Sequence, residues 1–148
     1  MTGIASIVAT AGGIGFLRKG GGTAAAVVFC VAWYFFPMGY AYQALLMILL
    51  LAAGTWSATK MEYLWGHDSN RIVIDEVAGM MISLAFLPYD VVYIFIGCVL
   101  FRFFDIVKPL GIRRAELLPR GMGVMADDVL AGVYAQVILR IIVMAKLF

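Results

Sequence analysis

A chain of 148 residues, 64% of them apolar and only 14% charged, with a mean hydropathy of +1.00, is too apolar for a water-soluble monomer, where about a quarter of the residues are charged. It is also too short for two ordinary domains and a linker. A formal net charge of +2 is far from the charge-rich, apolar-poor signature of disorder and gives no sign of a nucleic-acid partner. Cys30 and Cys98 sit inside apolar runs without metal-ligand spacing, and His67 is a lone histidine, so neither a disulfide framework nor a zinc site has support.

Residues 1–16 are apolar but rich in small residues, and they lack the basic start of a signal peptide. They read as an interfacial or re-entrant segment that the chain keeps. Five apolar runs follow, each bounded by polar or breaker residues: 23–36, 40–59, 74–87, 91–107 and 127–147. Pro37-Met38-Gly39 and Pro88-Tyr89-Asp90 turn the first four into two hairpins, and the fifth closes the set. The expected fold is a single all-α integral membrane domain over 1–148 with about five transmembrane helices. The first and third runs are short for a hydrocarbon core of about 30 Å at 1.5 Å per residue. Trp33, Trp56 and Trp65 are expected as interfacial anchors.

With five crossings, Arg18, Lys19, Lys60, Arg71, Arg102, Lys108, Arg113, Arg114 and Arg120 fall on one side and only Arg140 and Lys146 on the other. The positive-inside rule makes the first side cytoplasmic. Eight acids share that side and Asp90 alone lies opposite. Acids do not follow the rule, so their clustering asks for another cause.

Four blocks on that side carry the candidate chemistry. Arg18-Lys19-Gly20-Gly21-Gly22-Thr23 is a basic glycine turn running into a helix, with Lys19, Gly22 and Thr23 as phosphate contacts, or Thr23 as N-cap. In 68–80, Asp75 and Glu76 open a span, with Asp68 ahead of them. Gly79 lies on the Asp75 face at i+4, where a neighbouring helix can approach. Asp127 and Asp128 open the last span, again with a glycine, Gly132, four residues on. Arg102, Asp105 and Lys108 recur every third residue on one helical face. Carboxylates Asp68, Asp75, Glu76, Asp127 and Asp128 are the oxygen-donor set that Mg²⁺ prefers, and Lys19, Arg102 and Lys108 suit phosphate. Helix capping and interfacial snorkelling are the simpler explanations of each block alone.

In this order the blocks resemble the phosphatidylglycerophosphatase A family of bacterial membrane lipid phosphatases, whose motifs I-D-E-x-x-G-M, F-R-x-x-D-x-x-K-P and G-x-G-I-M-x-D-D-x-x-A-G are matched by 74–80, 101–109 and 121–132. Gly13-Ile14-Gly15 and the turn from Lys19 to Thr23 match its earlier segments, with Gly21 in place of a proline. The resemblance covers nearly the whole chain. It implies Mg²⁺-dependent hydrolysis of phosphatidylglycerophosphate to phosphatidylglycerol and phosphate, at the cytoplasmic face of a bacterial inner membrane. Asp75, Glu76, Asp105, Asp127 and Asp128 are then the expected catalytic carboxylates.

Rival chemistries lack their residues. Arg102 follows Cys98 by four positions, so no C-x5-R loop exists, and His67 stands alone where histidine lipid phosphatases need more than one. Neither D-x-D-x-[TV] nor D-G-x2-A-R is present. Metal-assisted hydrolysis by an activated water is favoured, with an aspartyl-phosphate intermediate as the variant. The alternative from another class is a small Mg²⁺ transporter or channel subunit, which needs polar groups through the bilayer rather than at one face.

Overall fold

The computed structural model describes residues 2–17, 19–66, 69–109 and 111–147. All regular structure among them is helical: α1 (Thr2–Ala9), a 3₁₀ turn (Ile14–Phe16), α2 (Gly21–Phe35), α3 (Tyr40–Trp65), α4 (Ile74–Leu84), α5 (Val91–Val107), the single turn α6 (Ile112–Ala115) and α7 (Gly121–Met144). Each of the five expected runs is a helix. Three differ from expectation in ways that matter.

Helix α3 continues to Trp65 rather than stopping at Thr59, because nothing breaks the backbone before Gly66, whose φ is +91°. Helix α7 starts at Gly121, after Arg120, whose φ is +58°. Asp127 and Asp128, the seventh and eighth residues of α7, therefore lie about two turns in, not at its start, and do not cap it. Helix α4 is only 11 residues, and eight of them are buried. It packs against α2, α3, α5 and α7 and forms the centre of the bundle. It is about 16 Å long and enclosed by its neighbours. By length and apolarity alone, α3 is the one described helix suited to cross a membrane.

Large apolar side chains cover much of the outer faces, while a few polar groups lie within the largely apolar interior. Val27, Val31, Leu45, Ile48, Phe95, Val99, Val137 and Ile141 are exposed, while Gln43, Ser57 and Ser83 are fully buried. Those polar groups are satisfied internally, as burial demands. Gln43 Nε2 donates to the Met38 carbonyl (2.9 Å) and Tyr89 Oη (3.0 Å), and the Phe86 amide donates to Gln43 Oε1 (2.7 Å). One side chain thus ties the two proline turns together. Asp90, the isolated acid, is the N-cap of α5 and accepts from the Val92 amide at 2.8 Å. Trp33 is not an interfacial anchor: it is 2% exposed and stacks between Phe29 and Tyr89, with ring centroids 5.6 and 5.2 Å away. Helix α1 packs on α3 through the buried Ala5 and Ala9, and the Val73 amide donates to the Ala9 carbonyl at 2.9 Å.

Position of the site depends on the α4–α7 crossing. A Cβ on Gly132 would lie 2.5 Å from the Gly79 carbonyl oxygen, and one on Gly79 would lie 2.8 Å from the Asp128 carbonyl and overlap the Phe101 ring. Real side chains do not fit there. The two glycines four residues beyond Asp75 and Asp128 thus meet each other, and this contact carries the acids of both helices to one place.

Candidate active site

At the end of the bundle opposite the proline turns, α2 begins, α4 begins, α5 ends, and α7 passes about two turns from its start. Between them lies a cavity of about 390 Å³ whose walls include Lys19, Gly22, Thr23, Asp75, Glu76, Arg102, Asp105, Lys108, Asp127 and Asp128. Every site residue expected from the sequence is therefore in one cavity, except Asp68, which lies outside the described residues. A larger cavity of about 510 Å³, between Thr2, Thr59, Lys60, Tyr63 and Arg120, holds none of them.

Helix α2 supplies backbone. Gly20, at φ +76°, turns the chain into the helix and occupies the N-cap without a side-chain hydrogen bond, so Thr23 lies inside the first turn and is not the cap. The first amides of a helix lack intrahelical acceptors and face an anion with favourable dipole. Gly22 is required by space: a Cβ there would overlap the Glu76 carboxylate. The backbone at Gly22 and the Glu76 carboxylate of α4 are consequently in close contact.

Helices α4 and α7 supply carboxylates. One oxygen each from Asp75, Glu76 and Asp128 lies within 4.8 Å of the others. Asp128 is 2% and Asp127 6% exposed. Asp75 Oδ1, Glu76 Oε2, Asp127 Oδ1 and Asp128 Oδ2 are buried without a hydrogen-bond partner among the described residues. Such groups are costly unless a cation or proton meets them. Counting the described cavity residues, five carboxylates face three cations, an excess of two negative charges. The all-oxygen donor set of Asp75, Glu76 and Asp128 fits a hard divalent cation.

Helix α5 supplies the cations. Arg102 Nη1 pairs with Asp105 one turn on, while Arg102 Nε is buried without a partner among the described residues. Lys108, just past the helix in a left-handed conformation, pairs with Asp127 at 2.6 Å and with Glu116. Burial pulls the Lys108 pKa down, but its hydrogen bonds to Asp127 and Glu116 outweigh this and hold it well above the ordinary lysine value. Its ammonium stays charged. Asp127 thus engages Lys108 through Oδ2, while its Oδ1 has no partner among the described residues, and it is not one of the three clustered carboxylates.

Three groups here have no counterpart in the sequence reading. Ser69 and Asn70, in the turn before α4, line the cavity, and Glu116 reaches Lys108 from beyond α6. Ser69 and Asn70 carry the weak signal of a polar pair just ahead of the Asp75-Glu76 helix. Glu116 carries none, since its role depends on a chain reversal at α6.

Comparison with known proteins identifies the family. The family model for phosphatidylglycerophosphatase A matches residues 7–143. A protein of Bacteroides thetaiotaomicron named putative phosphatidylinositol-3-phosphatase is 39% identical over 144 residues, covering 91% of both chains. The phosphatidylglycerophosphatase A of Escherichia coli is 36% identical over 121 residues, 80% of this chain and 69% of its own. That of Haemophilus influenzae is 47% identical over 74 residues, 49% of this chain and 45% of its own. No solved structure matches. All three relatives are named as phosphatases, which leaves the transporter alternative without support. With a family model matched across most of its length, and that family's motif residues gathered in one cavity, the chain belongs to the phosphatidylglycerophosphatase A family and is a phosphatase.

Proposed function

We propose that this protein is a membrane-embedded, Mg²⁺-dependent phosphatase that converts phosphatidylglycerophosphate to phosphatidylglycerol at the cytoplasmic face of a bacterial inner membrane. The observation that carries this reading is one cavity holding clustered carboxylates beside cations, at one end of a bundle with largely apolar outer faces. Extensive exposed apolar surface marks contact with a membrane. Five helices, α2, α3, α4, α5 and α7, build the bundle, α4 with 11 residues being far shorter than α3 with 26. We read these as five crossings, the short α4 being enclosed by the others.

Asp75, Glu76 and Asp128 would hold Mg²⁺, with Asp68 preceding them in the sequence as a further candidate. When bound, the ion offsets the carboxylate charge and lowers the cost of activating a water beside the phosphorus. The amides at the start of α2, Lys19 and Arg102 receive the phosphoryl oxygens, and Asp105 holds the Arg102 guanidinium in place. Lys108, oriented by Asp127 and Glu116, stabilises charge that grows on the transferring group. Hydrolysis joins the water oxygen to phosphorus, breaks the ester P–O bond, and leaves the proton on the glycerol oxygen.

The test is phosphate release by the purified protein from phosphatidylglycerophosphate, phosphatidylinositol 3-phosphate, glycerol 3-phosphate and phosphatidylglycerol, with Mg²⁺ and with chelator. Phosphatidylinositol 3-phosphate is included because the relative matched over 91% of its length bears that name. Turnover of phosphatidylglycerophosphate that needs Mg²⁺, with the soluble ester and the diester poor, is expected. Equal turnover of glycerol 3-phosphate would remove the membrane from substrate selection.

A further inference from the structure

The polar cavity accounts for a phosphate and a cation but not for the remainder of a lipid. Two of its walls, the start of α2 and the end of α5, continue away from it as antiparallel helices in contact with each other. Between them, open on the outer face, lies a groove of about 410 Å³ with the exposed Val27, Val31 and Phe35 of α2 and Phe95 and Val99 of α5, together with Cys98, among its walls. Outside two thiols and the Tyr34 phenol, no polar side chain lines it.

Its depth follows independently from each helix. Thr23 in the site and Val27 at the near end of the groove are four residues apart, about 6 Å, and Arg102 and Val99 are three apart, about 4.5 Å. Both walls put the groove roughly one helical turn below the phosphate cavity. Residues 27–35 and 91–99 line it, so it runs for about 12 Å. The groove and the turn above it together span about one leaflet, half of a hydrocarbon core of roughly 30 Å.

We infer that the α2–α5 groove seats an acyl chain of the same lipid whose phosphate occupies the polar cavity. The inference rests on the reading of that cavity as a phosphate site. What favours an acyl chain over another occupant is the continuity of walls between a charged cavity and an apolar groove, in the order and spacing of headgroup and tail. Contact there would hold the headgroup in register, and binding energy from this remote part of the substrate can lower the barrier to hydrolysis.

The experiment uses the full chain in nanodiscs with a phosphatidic acid, a lipid phosphomonoester, bearing a diazirine midway along one acyl chain. Photocrosslinks are expected on residues 27–35 and 91–99, displaced by excess unlabelled phosphatidic acid and not by phosphatidylcholine. Crosslinks spread over outward residues such as Ile48 and Val137, indifferent to competitor, would overturn the inference. In parallel, Val31→Trp and Val99→Trp should lower kcat/KM for a long-chain phosphomonoester lipid by about tenfold while sparing a dihexanoyl one, and Leu49→Trp on the outer face of α3 should change neither. Equal loss on both substrates, or on none, counts against the groove. Competed crosslinking does not need turnover. If it occurs without phosphate release, the groove stands and the proposed reaction falls. If phosphate is released but crosslinks are not competed, the reverse holds.

Discussion

Among the acidic residues, position decides role. Asp127 and Asp128 are neighbours in sequence, yet one faces Lys108 at 2.6 Å and the other lies with Asp75 and Glu76, their oxygens within 4.8 Å. Adjacent helical residues point about 100° apart, so a DD pair serves two partners. Asp128→Asn should therefore raise the Mg²⁺ concentration needed for half-maximal activity by tenfold or so, in line with loss of one carboxylate ligand. Asp127→Asn and Lys108→Met should lower kcat by roughly 10²–10³ with the Mg²⁺ requirement unchanged. Titrating activity against Mg²⁺ for the three variants distinguishes them. A shift in the Mg²⁺ midpoint for Asp127→Asn equal to that for Asp128→Asn would make Asp127 a ligand.

For the helices, the decisive contact is that of Gly79 with Gly132. Spacing marked Gly79 as a place where a helix could approach and repeated the glycine at Gly132, but it did not say that each is the other's partner. The carbonyl of Gly79 occupies the space a Gly132 side chain would need, and Ser83 Oγ donates to that same carbonyl at 2.9 Å. Gly132→Ala must push α7 from α4, with an overpacking cost of about 1–3 kcal/mol. Because Asp75 and Glu76 ride on one helix and Asp128 on the other, the same shift opens the carboxylate cluster. Thermal denaturation in detergent should show the loss of stability, and activity should fall at least about tenfold, given how steeply rate depends on misplacement. Stability lost with full activity retained would show that the cluster tolerates the displacement.

Across the whole molecule, the site end and the proline-turn end should face opposite sides of the bilayer. Arg113 near the cavity and Phe36 beside the first turn are both exposed. In a cysteine-free background, Arg113→Cys should react with a membrane-impermeant maleimide only from the cytoplasmic side, and Phe36→Cys only from the outside. Labelling of both from one side would break the five-crossing topology, while reversal of both would invert its orientation.

Composition together with the placement of apolar runs and breakers put this chain in the all-helical, apolar class, because hydropathy and breaker residues act locally and leave their record in short windows. The motif acids, the basic face of α5 and the glycine turn were legible for the same reason: each is a pattern within one or two turns of helix. Burial of α4 was not, since an 11-residue apolar helix has the same pattern whether lipid or protein surrounds it. Nor were the inward placement of Trp33, the Gln43 tie between turns, the pairing of Asp127 with Lys108, or the reach of Glu116. These depend on which segments, far apart in sequence, come to lie side by side, and only close packing of the folded helices decides that.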